Sequence, residues 1–241
     1  TFTGGGVAEI LARMVPLLNQ IGVDAQWSII KGQKDFYDVT KKFHNALHGR
    51  KEDISSEDFS LFMDVSKRNI EDLKLHGDIM FIHDPQPIAL IAKKKELGEK
   101  WIWRCHIDVS NPDKRVWDFL RNFVIGYDAA VFSAPNFSQE LPIRQFMISP
   151  SIDPLSDKNK ELSSEFIDSV LNKYGLDKDK PIIAQISRFD YLKDPVGVIQ
   201  AFEMVRRSID CQLVLAGGTA SDDPESEKVL EEVRERASGK P

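Results

Sequence analysis

The chain of 241 residues has only two cysteines, Cys105 and Cys211, and both lie within apolar runs. Two isolated thiols cannot build the disulfide framework of a small secreted protein, and no Cys-x-x-Cys pair is present to hold a zinc ion. We therefore expect both cysteines to be reduced core residues. This cysteine usage is typical of a cytoplasmic protein.

Long apolar runs and an excess of positive charge are also missing. No apolar run reaches the roughly 18 residues that a membrane-spanning helix needs. The 32 lysines and arginines are outnumbered by 38 aspartates and glutamates, which gives a net charge of −6. Nonspecific binding of nucleic acid needs a basic face that displaces counterions. We therefore expect neither a membrane nor a nucleic acid as partner, although a local basic pocket remains compatible with these numbers.

The fingerprint of a dinucleotide-binding domain is absent as well. Gly4, Gly5 and Gly6 precede a helical pattern, but Glu9 stands where Gly-x-Gly-x-x-Gly needs its third glycine. The acid that would bind a ribose should follow the second strand, and Lys31 stands there instead. We therefore expect no nicotinamide cofactor. The nucleophile elbow Gly-x-Ser-x-Gly of hydrolases is missing too.

Metal-ligand patterns are weak. His44 and His48 are spaced four residues apart, but Asn45 stands where a zinc protease needs glutamate, and no third ligand is evident. Residues 177–179 (DKD) resemble a metal-binding pair of aspartates, but they precede a strand instead of following one. A solvated turn is the interpretation that fits them. We expect no metal site.

Short apolar runs alternate with segments of helical periodicity along the whole chain, which predicts an α/β fold with a mostly parallel sheet and helices on both faces. Residues 149–160, with two prolines and mixed charge, predict a linker between residues 1–149 and residues 150–241. The second part holds about half of a Rossmann-like domain. The predicted strands are 24–30, 78–83, 101–106, 129–133, 145–148, 181–186 and 211–216, and the predicted helices are 7–21, 36–47, 56–73, 87–97, 114–124, 164–174, 195–208 and 226–237.

The most informative segment is 182–202, IIAQISRFDYLKDPVGVIQAF. It predicts a buried strand, a polar loop and a helix with Asp194 as N-cap and Pro195 as its first residue. Arg188 and Lys193 then lie between the carboxyl end of a strand and the N-terminus of a helix, where anions bind. This placement predicts a diphosphate site. The alternative is a surface loop in which Asp190 or Asp194 pairs with the cations.

Other polar residues follow predicted strands in the first part of the chain. His106 comes at the end of WIWRCH, and Asp108 is close enough to orient its ring. Asp84 and Gln86 follow DIMFIH and are suited to sugar hydroxyls. The alternatives are a hydrogen-bonded loop histidine at position 106 and a helix cap at residues 83–87.

Two glycine groups allow close approach of a ligand to the backbone. Gly5 and Gly6 precede a helix, and Gly217 and Gly218 follow the strand CQLVLA. A phosphate or sugar fits the first group, and a base or ribose fits the second. The alternative for both is an ordinary tight turn.

Together the motifs GGGVAE, RCHID, SPSIDP, SRFDYLKDP and LVLAGG resemble the retaining glycosyltransferases of family 4. SRFDYLKDP is the most specific of them, and the resemblance covers almost the whole chain. It implies a GT-B fold of two Rossmann-like domains with parallel sheets, of which the second is incomplete here. It also implies an N-terminal acceptor-binding domain over residues 1–149 and a C-terminal nucleotide-sugar domain over residues 150–241. The abrupt start and end lead us to expect a piece of a longer protein.

The resemblance also implies roles for individual residues. Arg188 and Lys193 would neutralise the donor diphosphate, and His106 would lie near the transferred sugar. Such enzymes use the nucleotide sugar as a substrate and need no metal or other cofactor. The implied catalytic residues are His106, Arg188 and Lys193; the donor-binding residues are Gly5, Gly6, Arg188, Lys193, Gly217 and Gly218; and the acceptor-binding residues are Gly6, Asp84, Gln86, His106 and Asp108.

FIHDPQP, WIWRCHIDVSNP and ISPSIDPLSDKN resemble more narrowly a subgroup that joins glucose from ADP-glucose or UDP-glucose to free glucose and forms α,α-trehalose. Trehalose phosphorylases of the same fold, and a binding module without turnover, are the alternatives. The family's paired glutamates, Glu-x7-Glu, are expected beyond residue 241, and we interpret Glu227 and Glu235 as a solvated helix face. We expect the isolated chain to be inactive and prone to self-association, so a homo-oligomer stays open.

Overall fold

The computed structural model describes residues 5–218 and 225–238. The chain divides into two compact units, Thr1–Ser151 and Ile152–Pro241. The acceptor and donor roles that the sequence predicts for residues 1–149 and 150–241 stay predictions.

The first unit alternates helices and strands as the periodicity predicts. Two short 3₁₀ helices, Ile88–Lys93 and Pro135–Phe137, complete it. Its elements in chain order are α1 (Gly5–Gln20), α2 (Lys34–Leu47), α3 (Ser56–Asp72), β1 (Ile79–His83), α4 (Lys94–Leu97), β2 (Lys100–Arg104), α5 (Lys114–Val124), β3 (Ala129–Phe132) and β4 (Arg144–Met147).

The four strands form a parallel sheet in the order β1-β2-β3-β4. Pairs such as Met80 with Trp101 and Ile82 with Trp103 set the register between β1 and β2. Because side chains alternate along a strand, these four residues share one face of the sheet. They belong to the main core, which also takes in fully buried aromatic residues of α2 and α3. The opposite face is less covered, since Phe81 and Phe146 remain exposed.

Side chains at the helix starts explain where the helices begin. Ser55 is the N-cap of α3. Its hydroxyl accepts the backbone N–H of Asp58, and the Asp58 carboxylate accepts the backbone N–H of Ser55. Asp113 caps α5 by a single bond, in which its carboxylate accepts the backbone N–H of Val116. Among the helices that the structure describes, none is long and apolar enough to cross a membrane.

The strand predicted at residues 24–30 is wrong. This segment has no regular secondary structure. Asparagine side chains form hydrogen bonds with its backbone near its start and directly after its end. The Asn19 amide bonds both backbone groups of Ala25, and the Asn69 amide bonds both backbone groups of Lys31. Amide side chains therefore satisfy backbone groups that a sheet ladder would otherwise use.

The helix predicted at residues 87–97 is only partly correct, because it begins as the 3₁₀ helix and ends as the single turn of α4. The Tyr127 hydroxyl donates to the Ile88 carbonyl at 2.8 Å, which draws that carbonyl away from an α-helical ladder.

The second unit is smaller and less covered. Its parallel sheet pairs β5 (Ile182–Ile186) with β6 (Gln212–Ala216), and Ile183 lies opposite Leu213. A short 3₁₀ helix, Tyr191–Lys193, precedes α7 (Pro195–Arg206). A small core contains Phe189, Ile199 and two valines of α8 (Ser226–Ala237). Ile186 is 74% exposed and Met204 67%. The elements of this unit in chain order are α6 (Ser164–Lys173), β5 (Ile182–Ile186), α7 (Pro195–Arg206), β6 (Gln212–Ala216) and α8 (Ser226–Ala237).

Candidate functional site

Polar residues meet where β1 and β2 end in the first unit. The last residues of the two strands, His83 and Arg104, are register partners, so the residues that follow lie at one edge of the sheet. The backbone N–H of Asp84 donates to the Arg104 carbonyl at 2.8 Å. The backbone N–H of His106 donates to Asp84 Oδ1 at 3.0 Å. The structure thus brings together Asp84 and His106, both predicted from the sequence to bind the acceptor.

Asp84 has an unusual backbone conformation, with φ at +67°. A non-glycine residue in this region costs on the order of 1–3 kcal/mol and persists only where neighbours hold it. Here the neighbours are β2 residues, since the Trp103 indole N–H also donates to the Asp84 carbonyl at 3.0 Å. Burial raises the pKa of the Asp84 carboxyl to about 6, although the bond from His106 and the charge of Arg104 oppose this shift. Strain and burial on one carboxyl group mark this position as a candidate site.

The rings of His83 and His106 are joined by a hydrogen bond. His83 Nδ1 and His106 Nε2 lie 2.8 Å apart, and the ring planes differ by 14°. Burial lowers the pKa of His83 to about 4, and the Arg104 charge lowers it further in the same direction. Burial, His83 and Arg104, in that order, lower the pKa of His106 to about 3. Both rings are therefore neutral near pH 7.

Sequence reasoning did not identify the buried cation Arg104 beside this pair. Its guanidinium donates to the Ile148 carbonyl at 2.6 Å and to the Phe132 carbonyl at 3.4 Å, and so ties the ends of β3 and β4 to the site. Burial lowers the pKa of Arg104, while Cys105 and Asp84 raise it. The sequence did contain a signal for Arg104, since a cation inside the apolar run WIWRC indicates a buried charge that needs partners.

The histidine pair predicts a pH-dependent stability. Both folded-state pKa values lie below the ordinary value of about 6.5, so the stability that the pair contributes is present above pH 6.5 and is lost as the pH falls towards 4 and 3. At pH 5 this loss is up to about 2 kcal/mol per histidine. Asp84 acts in the opposite sense. Its raised pKa contributes stability that is fully present below the unfolded pKa and is lost as the pH rises through 6. Acidification from pH 7 to pH 5 therefore restores about 1.4 kcal/mol of stability through this carboxyl group. We expect the free energy of unfolding to fall by about 1–3 kcal/mol from pH 7 to pH 5.

Urea titrations followed by tryptophan fluorescence measure this change. The double variant His83→Asn/His106→Asn should no longer lose stability between pH 7 and pH 5 and should instead gain up to about 1.4 kcal/mol, because the Asp84 contribution remains. The variant of the exposed His76, His76→Asn, should keep the wild-type loss. A wild-type stability that is flat, or that rises on acidification, contradicts the expectation.

The other predicted acceptor residues of this unit are placed differently. Asp108 Oδ1 accepts the backbone N–H of Ser110 at 2.8 Å, so it caps a local turn. The hydrogen-bond partner of the His106 ring is His83, and among the described residues the structure shows no bond from Asp108 to that ring, so its orienting role stays a prediction. Gln86 lines a small cavity inside the unit together with Phe36 and Ser66.

Gly5 and Gly6 are the first two residues of α1. Gly5 has φ at +78°, a conformation that favours glycine. A side chain at either position would meet no atom of residues 5–218 or 225–238 within 4 Å, so these residues leave the backbone open to a ligand. The glycine before them, Gly4, lies outside the described residues.

In the second unit the loop between β5 and α7 carries the two predicted phosphate-binding cations. Arg188 Nη2 lies 3.3 Å from Asp190 Oδ2, so the pairing alternative considered in the sequence is present for Arg188. Asp190 is buried, and its other oxygen accepts the backbone N–H groups of Leu192 and Lys193. Arg188 keeps 35% of its side chain exposed. Lys193 is exposed, and within residues 5–218 and 225–238 its ammonium pairs with no carboxylate. One buried carboxylate thus holds both the arginine and the loop backbone.

The helix start after this loop is as predicted. Asp194 caps α7 through a bond from the Gly197 N–H to Asp194 Oδ1 at 2.9 Å, and Pro195 is the first helical residue. The loop is also anchored from α8, since the Tyr191 hydroxyl donates to Glu232 Oε1 at 2.6 Å. Sequence reasoning considered Asp190 only as a partner of the cations and missed its bonds to the loop backbone, and it did not identify the anchor Tyr191. The role of Asp190 could have been predicted, because aspartate side chains often accept the backbone N–H groups two and three residues further along the chain.

Gly217 and Gly218 lie at the same sheet edge as this loop, because Ser187 N–H donates to the Ala216 carbonyl at 3.0 Å. A Cβ on Gly217 would overlap the Ser187 carbonyl oxygen, far inside van der Waals contact. A Cβ on Gly218 would meet no atom of the described residues within 4 Å. Close backbone packing therefore explains the first glycine, whereas among the described residues nothing crowds the second.

Three further predictions concern residues outside these sites. Cys105 and Cys211 are buried free thiols, as predicted, and burial raises the pKa of Cys105. Glu227 and Glu235 are exposed on α8, which confirms a solvated face. His48 Nδ1 lies 2.9 Å from the His44 carbonyl. In the described part of the chain no three histidine, cysteine, aspartate or glutamate side chains gather as a metal site would need.

Comparison of the whole chain with known proteins identifies its relatives. Residues 1–139 match the family model of the N-terminal domain of trehalose synthase. The trehalose synthase of Thermococcus litoralis is 44% identical over 244 residues, which cover 98% of this chain and 59% of that protein. The trehalose synthase of Rubrobacter xylanophilus is 42% identical over 234 residues, covering 93% and 56%. The chain thus spans somewhat more than half the length of these curated relatives.

A solved structure shows the fold. The crystal structure of an α,α-trehalose-phosphate synthase (UDP-forming) from Burkholderia vietnamiensis matches with a TM-score of 0.66 at 18% identity, over 97% of this chain and 66% of that one. With its parallel sheets and alternating helices, the chain has the GT-B fold class that the sequence predicts, in incomplete form.

Proposed function

Because the chain belongs to the trehalose synthase family, we propose that the whole protein is a retaining glycosyltransferase that moves glucose from ADP-glucose or UDP-glucose to free glucose. The product is α,α-trehalose. The chain carries the N-terminal acceptor-binding part and the first portion of the donor-binding part.

The loop with Arg188 and Lys193 carries this proposal. It lies between the carboxyl end of β5 and the N-terminus of α7, where backbone N–H groups and the helix dipole favour an anion. Arg188 offers a planar fork to phosphate oxygens and Lys193 a mobile point charge. Asp190 holds the shape of the loop through its bonds to the backbone N–H groups of Leu192 and Lys193. A cationic loop held in this way suits the leaving diphosphate of a nucleotide sugar.

Stabilisation of the leaving diphosphate is then electrostatic, with little proton chemistry. The two cations take the place that a metal ion holds in other transferases, so the proposal includes no metal and no other cofactor. Retention of the anomeric configuration would follow from attack on the face that the diphosphate leaves.

The acceptor glucose would lie near Asp84, His106, Gln86 and Gly6. Asp84 offers a carboxylate and His106 a neutral ring, and both are suited to hydroxyl groups. The buried free thiols Cys105 and Cys211 support a cytoplasmic location. The exposed apolar residues of the second unit support our expectation that this chain alone associates. That it is also inactive on its own is part of the proposal.

The test is turnover by the full-length protein with ADP-glucose or UDP-glucose and free glucose, with products resolved by chromatography. We expect a trehalose peak with at least one donor. A second arm supplies trehalose and inorganic phosphate without nucleotide. If no disaccharide forms and the second arm releases glucose phosphate, the protein is a phosphorylase and the proposal fails.

A further inference from the structure

The hydrogen bond between His83 and His106 has a chemical consequence for His106. A neutral imidazole carries one proton on its two nitrogens, so one nitrogen donates and the other accepts. Two neutral rings therefore share four nitrogens and two protons. A bond between His83 Nδ1 and His106 Nε2 at 2.8 Å uses one of these protons in the bridge. The second proton is then confined to an outer nitrogen.

Only two arrangements satisfy this bond. In the first, His106 Nε2–H donates to His83 Nδ1, and both rings carry their proton on Nε2. In the second, His83 Nδ1–H donates to His106 Nε2, and both rings carry it on Nδ1. The Nε2–H form is the intrinsically preferred tautomer of a histidine side chain, and the first arrangement places both rings in it. The bond therefore favours His106 with a protonated Nε2 and a bare Nδ1.

The surroundings keep the pair neutral. Arg104 ends the strand beside His83 and is buried, so a second positive charge on either ring would be repelled. Asp84 engages the backbone N–H of His106, and Cys105 is a buried thiol. In the described part of the chain, neither Asp84 nor Cys105 donates a hydrogen bond to either ring or accepts one from it, and Phe81 contacts His83 edge-on at 4.7 Å between ring centroids.

We propose that His83 is a positioning residue that fixes the ring orientation and tautomer of His106, so that His106 Nδ1 acts as a hydrogen-bond acceptor for a sugar hydroxyl. The contact with sugar rests on the proposed function, whereas the tautomer does not. His83 itself touches no substrate in this proposal.

The tautomer is measured directly in the full-length protein with ¹⁵N-labelled histidine, by long-range ¹H–¹⁵N correlation at pH 7 without substrate. We expect the His106 Nδ1 signal at the shift of a bare ring nitrogen and the Nε2 signal at that of a protonated one. In His83→Phe, which keeps a ring but no hydrogen bond, the two signals of His106 should move towards an average. His83→Asn offers a carboxamide oxygen near the position of Nδ1 and should restore the wild-type signals.

Kinetics provide the second readout. His83→Phe should lower kcat with free glucose by roughly two- to tenfold, and His83→Asn should recover most of it. The exposed His76→Asn is the matched control and should change neither readout. A wild-type His106 that is averaged or protonated on Nδ1 overturns the proposal, and so does an unchanged tautomer in His83→Phe. If the tautomer is locked but no trehalose forms, the proposed function fails while the positioning role of His83 stands.

Discussion

Replacing Arg188 by alanine in the full-length protein is expected to lower turnover by about tenfold to more than a hundredfold. Each charge-assisted hydrogen bond to a phosphate oxygen contributes roughly 1.5–3 kcal/mol, and the alanine variant loses at least one of them. Because charge on the diphosphate grows as the glycosidic bond breaks, the loss should fall on kcat more than on the KM of the nucleotide sugar. Steady-state rates of trehalose formation, with the nucleotide sugar varied, measure both constants.

Two companion variants make this result specific. Arg188→Lys should also be impaired, since an ammonium cannot reproduce the two parallel bonds of the guanidinium fork. Arg207→Ala removes an exposed arginine at the end of α7 and should leave the rate unchanged. The melting temperature must be recorded for each variant, because Arg188→Ala leaves the buried Asp190 without its ion pair. Unchanged kcat and nucleotide affinity in a folded Arg188→Ala variant would contradict the assignment of a diphosphate site to this loop.

Gly217→Ala is expected to destabilise the second unit by about 1–3 kcal/mol or more. The added methyl group would overlap the Ser187 carbonyl oxygen, which belongs to the backbone and cannot rotate aside. Relief therefore requires β5 and β6 to separate at their carboxyl edge, where Ser187 N–H bonds the Ala216 carbonyl. Urea unfolding and hydrogen exchange of the amides at this edge measure the effect.

The neighbouring glycine is the matched control. Gly218→Ala adds the same methyl group one residue later, where it meets no atom of residues 5–218 and 225–238 within 4 Å. Its stability should change by no more than about 0.5 kcal/mol. Equal stabilities of the two variants would show that the backbone approach at Gly217 is not a constraint on this fold.

Most of the secondary structure could be predicted from the sequence, because it depends on local signals. The periodicity and flanking residues predict α5 and α8 with the bounds that the structure shows. Asp194 and Pro195 predict the start of α7, since an N-cap and a first-turn proline act on their own backbone. Charge and apolar patterning likewise predicted the solvated face of α8 and the burial of both cysteines.

The segment 24–30 shows where local signals fail. Its composition suits a strand, but a strand exists only with a partner, and here Asn19 and Asn69 bind the backbone at Ala25 and Lys31 instead. The choice between the two outcomes depends on a residue 38 positions away in α3. No window of sequence around residues 24–30 contains that information.

The sequence by itself determined that this chain alternates strands and helices, and that polar residues follow the strand ends: Asp84, His106 and Arg188. Only the tertiary structure decided which of them meet. It joined His106 to His83 from the neighbouring strand, placed the charge of Arg104 beside them, and paired Arg188 with the buried Asp190. Cap, turn and periodicity signals act within a few residues, whereas a histidine tautomer, a shifted pKa or an oriented guanidinium depends on desolvation and on partners that only strand pairing brings within about 3 Å.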